Sequence, residues 1–99
     1  MFYILLSLRG RDRHGYEILK EVESGSFGKV RLGPATLYTT IKKLLDAELI
    51  DEVDGPSDGD PRRRYYRLSP RGRKELSDEL DRMERAITLA RPRALRARP

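Results

Sequence analysis

The stretch from Leu32 to Ile50, LGPATLYTTIKKLLDAELI, constrains this chain more than any other. Leu37, Ile41, Leu44 and Leu45 recur at i, i+4, i+7 and i+8, and Leu49 trails them. That is the spacing of an amphipathic helix laid on a core. Gly33-Pro34 opens it, with Pro34 at the first helical position, where its missing N–H costs nothing. The pattern predicts helix to about Ala47 or Glu48. The opposite face carries Ala35, Thr36, Thr39, Lys42 and Lys43, which are small, hydroxylic or positive. An ordinary surface helix mixes Glu and Lys there, whereas a face of this kind suits the major groove of DNA. The stretch reads as a candidate recognition helix, and the rest of the chain as what holds, doubles and anchors it.

A chain of 99 residues is enough for one modest core, and domains of this size are often stabilised further by a partner chain. The net charge of +5 and pI of about 9.8 make nucleic acid a plausible partner. The same charge is ordinary for solubility, so its placement carries the argument. No Cys is present, which excludes disulfides, thiolate zinc sites and a Cys nucleophile. His14 is the only histidine, so a multi-His metal site within one chain is excluded too. No metal or cofactor is expected. The opening MFYILLSL lacks a basic leader and a small-residue cleavage site, and no run approaches a membrane span. A cytoplasmic protein without a membrane partner is expected.

In chain order, the apolar run Phe2 to Leu8 predicts a first, buried helix that ends at the basic turn Arg9-Gly10-Arg11-Asp12. A second helix is predicted over His14–Ser24, with Ile18, Leu19 and Val22 on one face and Glu17, Lys20, Glu21 and Glu23 on the other. His14 is expected to start or cap it. Gly25-Ser26-Phe27-Gly28 stops it. The alternation Lys29-Val30-Arg31-Leu32 suggests one small strand. After the recognition helix, Leu49–Asp54 and Arg62–Leu68 form the arms of a hairpin, with Gly55–Pro61 supplying turn chemistry throughout. Tyr66 and Leu68 fall on one face of the second arm and Tyr65 and Arg67 on the other. Ser69-Pro70 caps a last helix. Along it Leu76, Leu80, Met83, Ile87 and Ala90 are spaced 4, 3, 4, 3, which is a heptad pairing seam. This helix is expected to end before Pro92, leaving the basic tail Arg91–Pro99 disordered.

This order of elements is that of a winged helix-turn-helix, a mainly α (α+β) fold. A DNA-binding unit over residues 1–68, a dimerisation helix over 69–90 and a tail over 91–99 are expected. In such readers the second helix of the motif enters the major groove and the preceding helix braces it. Thr36 and Thr39 can then read base edges. Lys42 and Lys43 can reach bases or phosphates, and the backbone N–H groups near Ala35 and Thr36 suit a phosphate. Tyr38, on the border of the apolar face, can offer its hydroxyl to the backbone. Residues 62–74 hold seven basic residues and no acid. Arg62, Arg63 and Arg64, at the base of the wing, have the fork geometry for phosphate. Asp58 and Asp60 at the tip would be repelled by DNA, so the tip is expected to swing clear. The heptad seam predicts a homodimer that presents two recognition helices roughly 34 Å apart to a near-palindromic site. No nucleophile–base pair stands at usable spacing, so an enzyme is not expected. The competing class is a winged-helix module that binds protein instead of DNA, favoured if Arg62–Arg64 are buried against a partner. An RNA-binding domain is disfavoured by the lack of an aromatic stacking sheet.

Three blocks together resemble the PadR family of bacterial transcriptional regulators: HGYEILKEV at His14–Val22, LGPATLY at Leu32–Tyr38 and RRYYRLSPRGR at Arg63–Arg73. The resemblance spans roughly residues 3 to 90. It implies a dimeric winged helix-turn-helix repressor paired through its C-terminal helix, and the single C-terminal helix is similar to the short subfamily. It also implies sensing of small aromatic or drug-like effectors, as in some members. The chain begins inside the family's first helix. Its seven aromatic residues, with no Trp, offer no evident flat stacking pair.

Overall fold

A computed structural model describes the backbone of residues 1–96 and the side chains of residues 1–91. The order is α1 (Phe2–Ser7), β1 (Arg13–His14), α2 (Gly15–Gly25), α3 (Pro34–Asp46), β2 (Ile50–Val53), β3 (Tyr65–Leu68) and α4 (Pro70–Arg96). The strands form one antiparallel sheet in the order β1-β3-β2. Ile50 faces Leu68 and Val53 faces Tyr65 across the hairpin, while Arg13 faces Tyr66 and His14 faces Tyr65 on the other edge of β3.

Each helix buries the stripe its periodicity marks. Ile4 and Leu5 of α1, Ile18 and Val22 of α2, and Leu37, Ile41 and Leu44 of α3 meet Leu49, Ile50, Tyr66 and Leu68 in one core. Leu45 packs against its rim. The ends are set locally. His14 caps α2 reciprocally with Glu17, as expected: the Glu17 N–H donates to His14 Nδ1 and the His14 N–H to Glu17 Oε1. Ser69 caps α4 by accepting from the Gly72 N–H at 2.9 Å, and its hydroxyl donates to the Glu48 carbonyl at 2.6 Å. That pair of bonds ties the start of α4 to the end of α3.

Three expectations are corrected. Lys29–Leu32 is not a strand; the third strand is Arg13–His14. The inward alternation is real, since Val30 and Leu32 pack on the core, but the Val30 N–H is taken by Ser26 Oγ at 2.9 Å. The segment therefore follows the turn, while β1 occupies the free edge of β3. The last helix does not stop before Pro92 but runs to Arg96, so Arg91–Arg96 is helical rather than disordered. Proline removes one N–H, and its neighbours Ala90, Arg91, Arg93, Ala94 and Leu95 are strong helix formers that carry the backbone past it. The rest of the expected tail, residues 97–99, lies outside the described residues. Finally, Leu76 is not free to face a partner: it is 3 % exposed within the core of its own chain. Leu80 packs at the rim. The start of α4 thus belongs to the same core as the hairpin and α1.

Candidate nucleic-acid interface

The face of α3 opposite the core is open. Ala35, Thr36, Thr39, Lys42 and Lys43 are all exposed, while Leu37, Ile41 and Leu44 behind them are sealed. The cap residue Gly33 offers no side chain, so nothing covers the N–H groups of the first turn. Thr40 is turned away from reading, since its hydroxyl donates to the Thr36 carbonyl at 2.9 Å. Lys42 lies 3.9 Å from Asp46, an exposed pair that holds it weakly.

Tyr38 is 55 % exposed, and it reaches the start of α2. Its hydroxyl lies against Gly15 so closely that a Cβ there would sit 2.7 Å from it. The two helices of the motif are thereby keyed to each other by a tyrosine and an absent side chain. On the far side stand the wing arginines. Arg62 folds back onto the wing turn, with its backbone N–H 2.9 Å and its Nε 3.3 Å from Asp60 Oδ1. These bonds, the backbone one first, hold the Asp60 carboxyl below the usual carboxylate range. Arg64 lies 3.7 Å from Glu52 on β2. Arg63 reaches inward, with Nη1 3.1 Å from His14 Nε2.

Tyr38, the three arginines, His14, Gly15, Tyr16 and Tyr66 line one cleft of about 480 Å³. The structure thus brings Tyr38 together with Arg62–Arg64 and leaves Thr36, Thr39, Lys42 and Lys43 on the adjoining helix face. Sequence reasoning singled out neither His14, Gly15 and Tyr16 nor Tyr66 as cleft residues. Their signal was the HGY block itself, whose close approach to Tyr38 becomes visible only in three dimensions. A cleft with cationic forks, tyrosine hydroxyls and a helix start on its walls can hold an anionic oxygen group. Among the described residues no cluster of acids and histidine could hold a metal, and no helix is long and apolar enough to cross a membrane.

The predicted pairing seam diverges along its length. Beyond buried Leu76 and half-buried Leu80, Met83 is 41 % and Ile87 48 % exposed, and Ala90 is exposed. Aromatic rings meet edge-on, Phe2 with Tyr3 and His14 with Tyr65, so neither pair forms a parallel slot for a flat effector.

A family model described as the transcriptional regulator PadR-like family matches residues 4–78. The chain belongs to the PadR-like family. PadR-like proteins are transcriptional regulators and not enzymes. An uncharacterised protein X of Lysinibacillus sphaericus is 32 % identical over 75 residues, covering 76 % of this chain and 69 % of that one. A PadR family transcription regulator from Clostridium difficile R20291 superposes with a TM-score of 0.69 at 27 % identity, over 95 % of each chain. Bacillus subtilis PadR, solved in complex with operator DNA, superposes with a TM-score of 0.68 at 25 % identity, over 80 % of this chain and 44 % of that one. These PadR structures carry the winged helix-turn-helix reading of the present fold.

Proposed function

We propose that this PadR-like protein binds double-stranded DNA as a homodimer and represses transcription from a near-palindromic operator in the cytoplasm, where a transcriptional regulator meets its DNA. The observation that carries the reading is the continuity of the open face of α3 with the arginine-walled cleft. One surface therefore offers base-reading groups and phosphate anchors side by side. In this reading α3 enters the major groove. Thr36 and Thr39 face base edges, the backbone N–H groups near Ala35 meet a phosphate, Lys42 and Lys43 anchor along the groove, and Tyr38 with Arg62, Arg63 and Arg64 grips the backbone. The solved operator complex of Bacillus subtilis PadR supports the DNA partner.

Dimerisation is supported by the second half of α4. From Asp81 to Arg91 every residue is exposed. An unsupported helix of this kind is marginal in water, and a second copy laid along Leu80, Met83, Ile87 and Ala90 would bury its apolar seam. Arg62, Arg63 and Arg64 are all exposed, which leaves them open to phosphates.

Selection of bound duplexes from random DNA tests the whole reading. Enrichment of a palindrome with half-sites about one helical turn apart is the expected result. Its affinity should fall with a log–log salt slope of about −5 to −7 if each subunit neutralises three to four phosphates. No retarded duplex at low salt would overturn the reading.

A further inference from the structure

We propose that His14 is a positioning residue for DNA binding: its neutral ring holds Arg63 back against the cleft wall, and its protonation hands Arg63 to a DNA phosphate. The inference rests on the DNA-binding reading above and adds a proton to it.

The ring is enclosed. His14 is 8 % exposed and stands edge-on to Tyr65 with centroids 5.3 Å apart. A guanidinium only donates, so a hydrogen bond across its 3.1 Å contact with Nε2 calls for a lone pair there and for the proton on Nδ1. The cap of α2 asks for the opposite tautomer, because the Glu17 N–H points at Nδ1 from 3.4 Å. A neutral imidazole has one such lone pair for two donors. Arg63 and the cap therefore compete for it, and the arginine is held by a contact that is easily surrendered.

Protonation ends the competition, because the cap bond at Nδ1 is given up along with the Arg63 contact. The charged ring has no lone pair left, and Arg63 then faces a cation at 3.1 Å. The carboxylate nearest the new Nε2–H is Glu17, whose Oε1 lies 3.4 Å away and whose Oε2 is paired with Arg11 at 3.3 Å. The other charges near the ring are already spoken for. Arg64 of the wing faces Glu52 at 3.7 Å, and Arg13 of β1 faces Glu21 at 3.7 Å. Tyr65 of β3 meets the ring edge-on, and Tyr66 of β3 and Tyr38 of α3 line the same cleft. Glu17 favours the charged ring and Arg63 opposes it. A phosphate that draws Arg63 away removes the opposing charge and adds a favourable one. By reciprocity, a proton on His14 must then tighten DNA binding, so affinity rises as pH falls.

The chain has a single histidine, so proton linkage between about pH 5.5 and 7.5 reports on this ring. Binding of a selected duplex is measured across that range at constant ionic strength. The wild type should bind more tightly at the acid end, by about tenfold per subunit if the ring's titration midpoint rises one pH unit in the complex. The lone imidazole C–H resonance should show that rise when duplex is added. His14→Asn keeps a good helix cap and cannot titrate, so its profile should be flat. Arg63→Gln, at an exposed site, keeps the histidine but removes the retained cation. It should bind more weakly with a flattened profile. A wild-type chain that binds DNA equally at all these pH values overturns the inference alone. So does a variant of either kind that keeps the wild-type slope. A chain that binds no duplex at any pH overturns the DNA reading and this inference with it.

Discussion

Two positions show how much single residues decide. Gly72, in the first turn of α4, is buried where any Cβ would fall on the carbonyl oxygen of Leu49. That carbonyl is backbone, and it is already held by the Ser69 N–H at 3.1 Å, so it cannot move aside cheaply. Glu48 is the reverse case. It ends α3 with φ +60 and lets the Leu49 N–H reach back to the Leu44 carbonyl at 2.9 Å, a closure that normally takes glycine. Gly72→Ala should lower stability by about 3 kcal/mol through overpacking. Glu48→Gly should raise it by about 1 kcal/mol through relief of the left-handed strain. Urea midpoints of the two variants check both signs together. The glycine at 72 reads in sequence as an ordinary small residue after Ser-Pro, because its constraint comes from a carbonyl more than twenty positions earlier.

At the level of elements, short-range signals were the legible ones. The three main helices, the hairpin and the caps at His14 and Ser69 follow from periodicity and end chemistry within a few residues. The sheet's third strand does not. Its two residues, Arg13 and His14, carry no alternation long enough to notice, and their pairing is set by the free edge of β3. Just beside it, Arg67 of β3 grips Asp12 through two bonds, 2.9 and 2.8 Å long. These bonds hold the Asp12 carboxyl below its ordinary value of 3.8 and raise the Arg67 guanidinium. A carboxyl depressed in the fold adds stability above its unfolded value, and that stability is lost as pH falls through the folded value. Asp12→Asn should therefore be less stable than wild type at pH 7, and the gap should close below about pH 4. Thermal unfolding at both pH values measures it. A gap that persisted in acid would mean that packing, not the ion pair, holds the edge strand.

The whole molecule measures 62 × 27 × 25 Å, long because α4 extends past the body. Its first turns are core and its outer half is bare, so the heptad pattern does two jobs in sequence. Leu76 secures the helix to its own chain, and in the proposed dimer Met83 and Ile87 are what remain for a partner. Met83→Glu with Ile87→Glu should leave the body folded, since both side chains are exposed, and should shift the protein to monomer in sedimentation. Loss of the second reading head would weaken operator binding with it. A double variant that stayed dimeric would move the interface elsewhere.

By itself the sequence determined the helices and the hairpin, the apolar stripe of each helix, the basic face of α3 and the family resemblance. All of these depend on interactions between near neighbours or on local motif content. Only the tertiary structure decided that Leu76 is spent inside the core, that Arg13–His14 completes the sheet, and that the HGY block meets Tyr38 and the wing arginines in one cleft. Those outcomes depend on which distant group arrives at a given edge or face. A side chain's spacing fixes the direction it points, but what it points at is supplied by the rest of the fold.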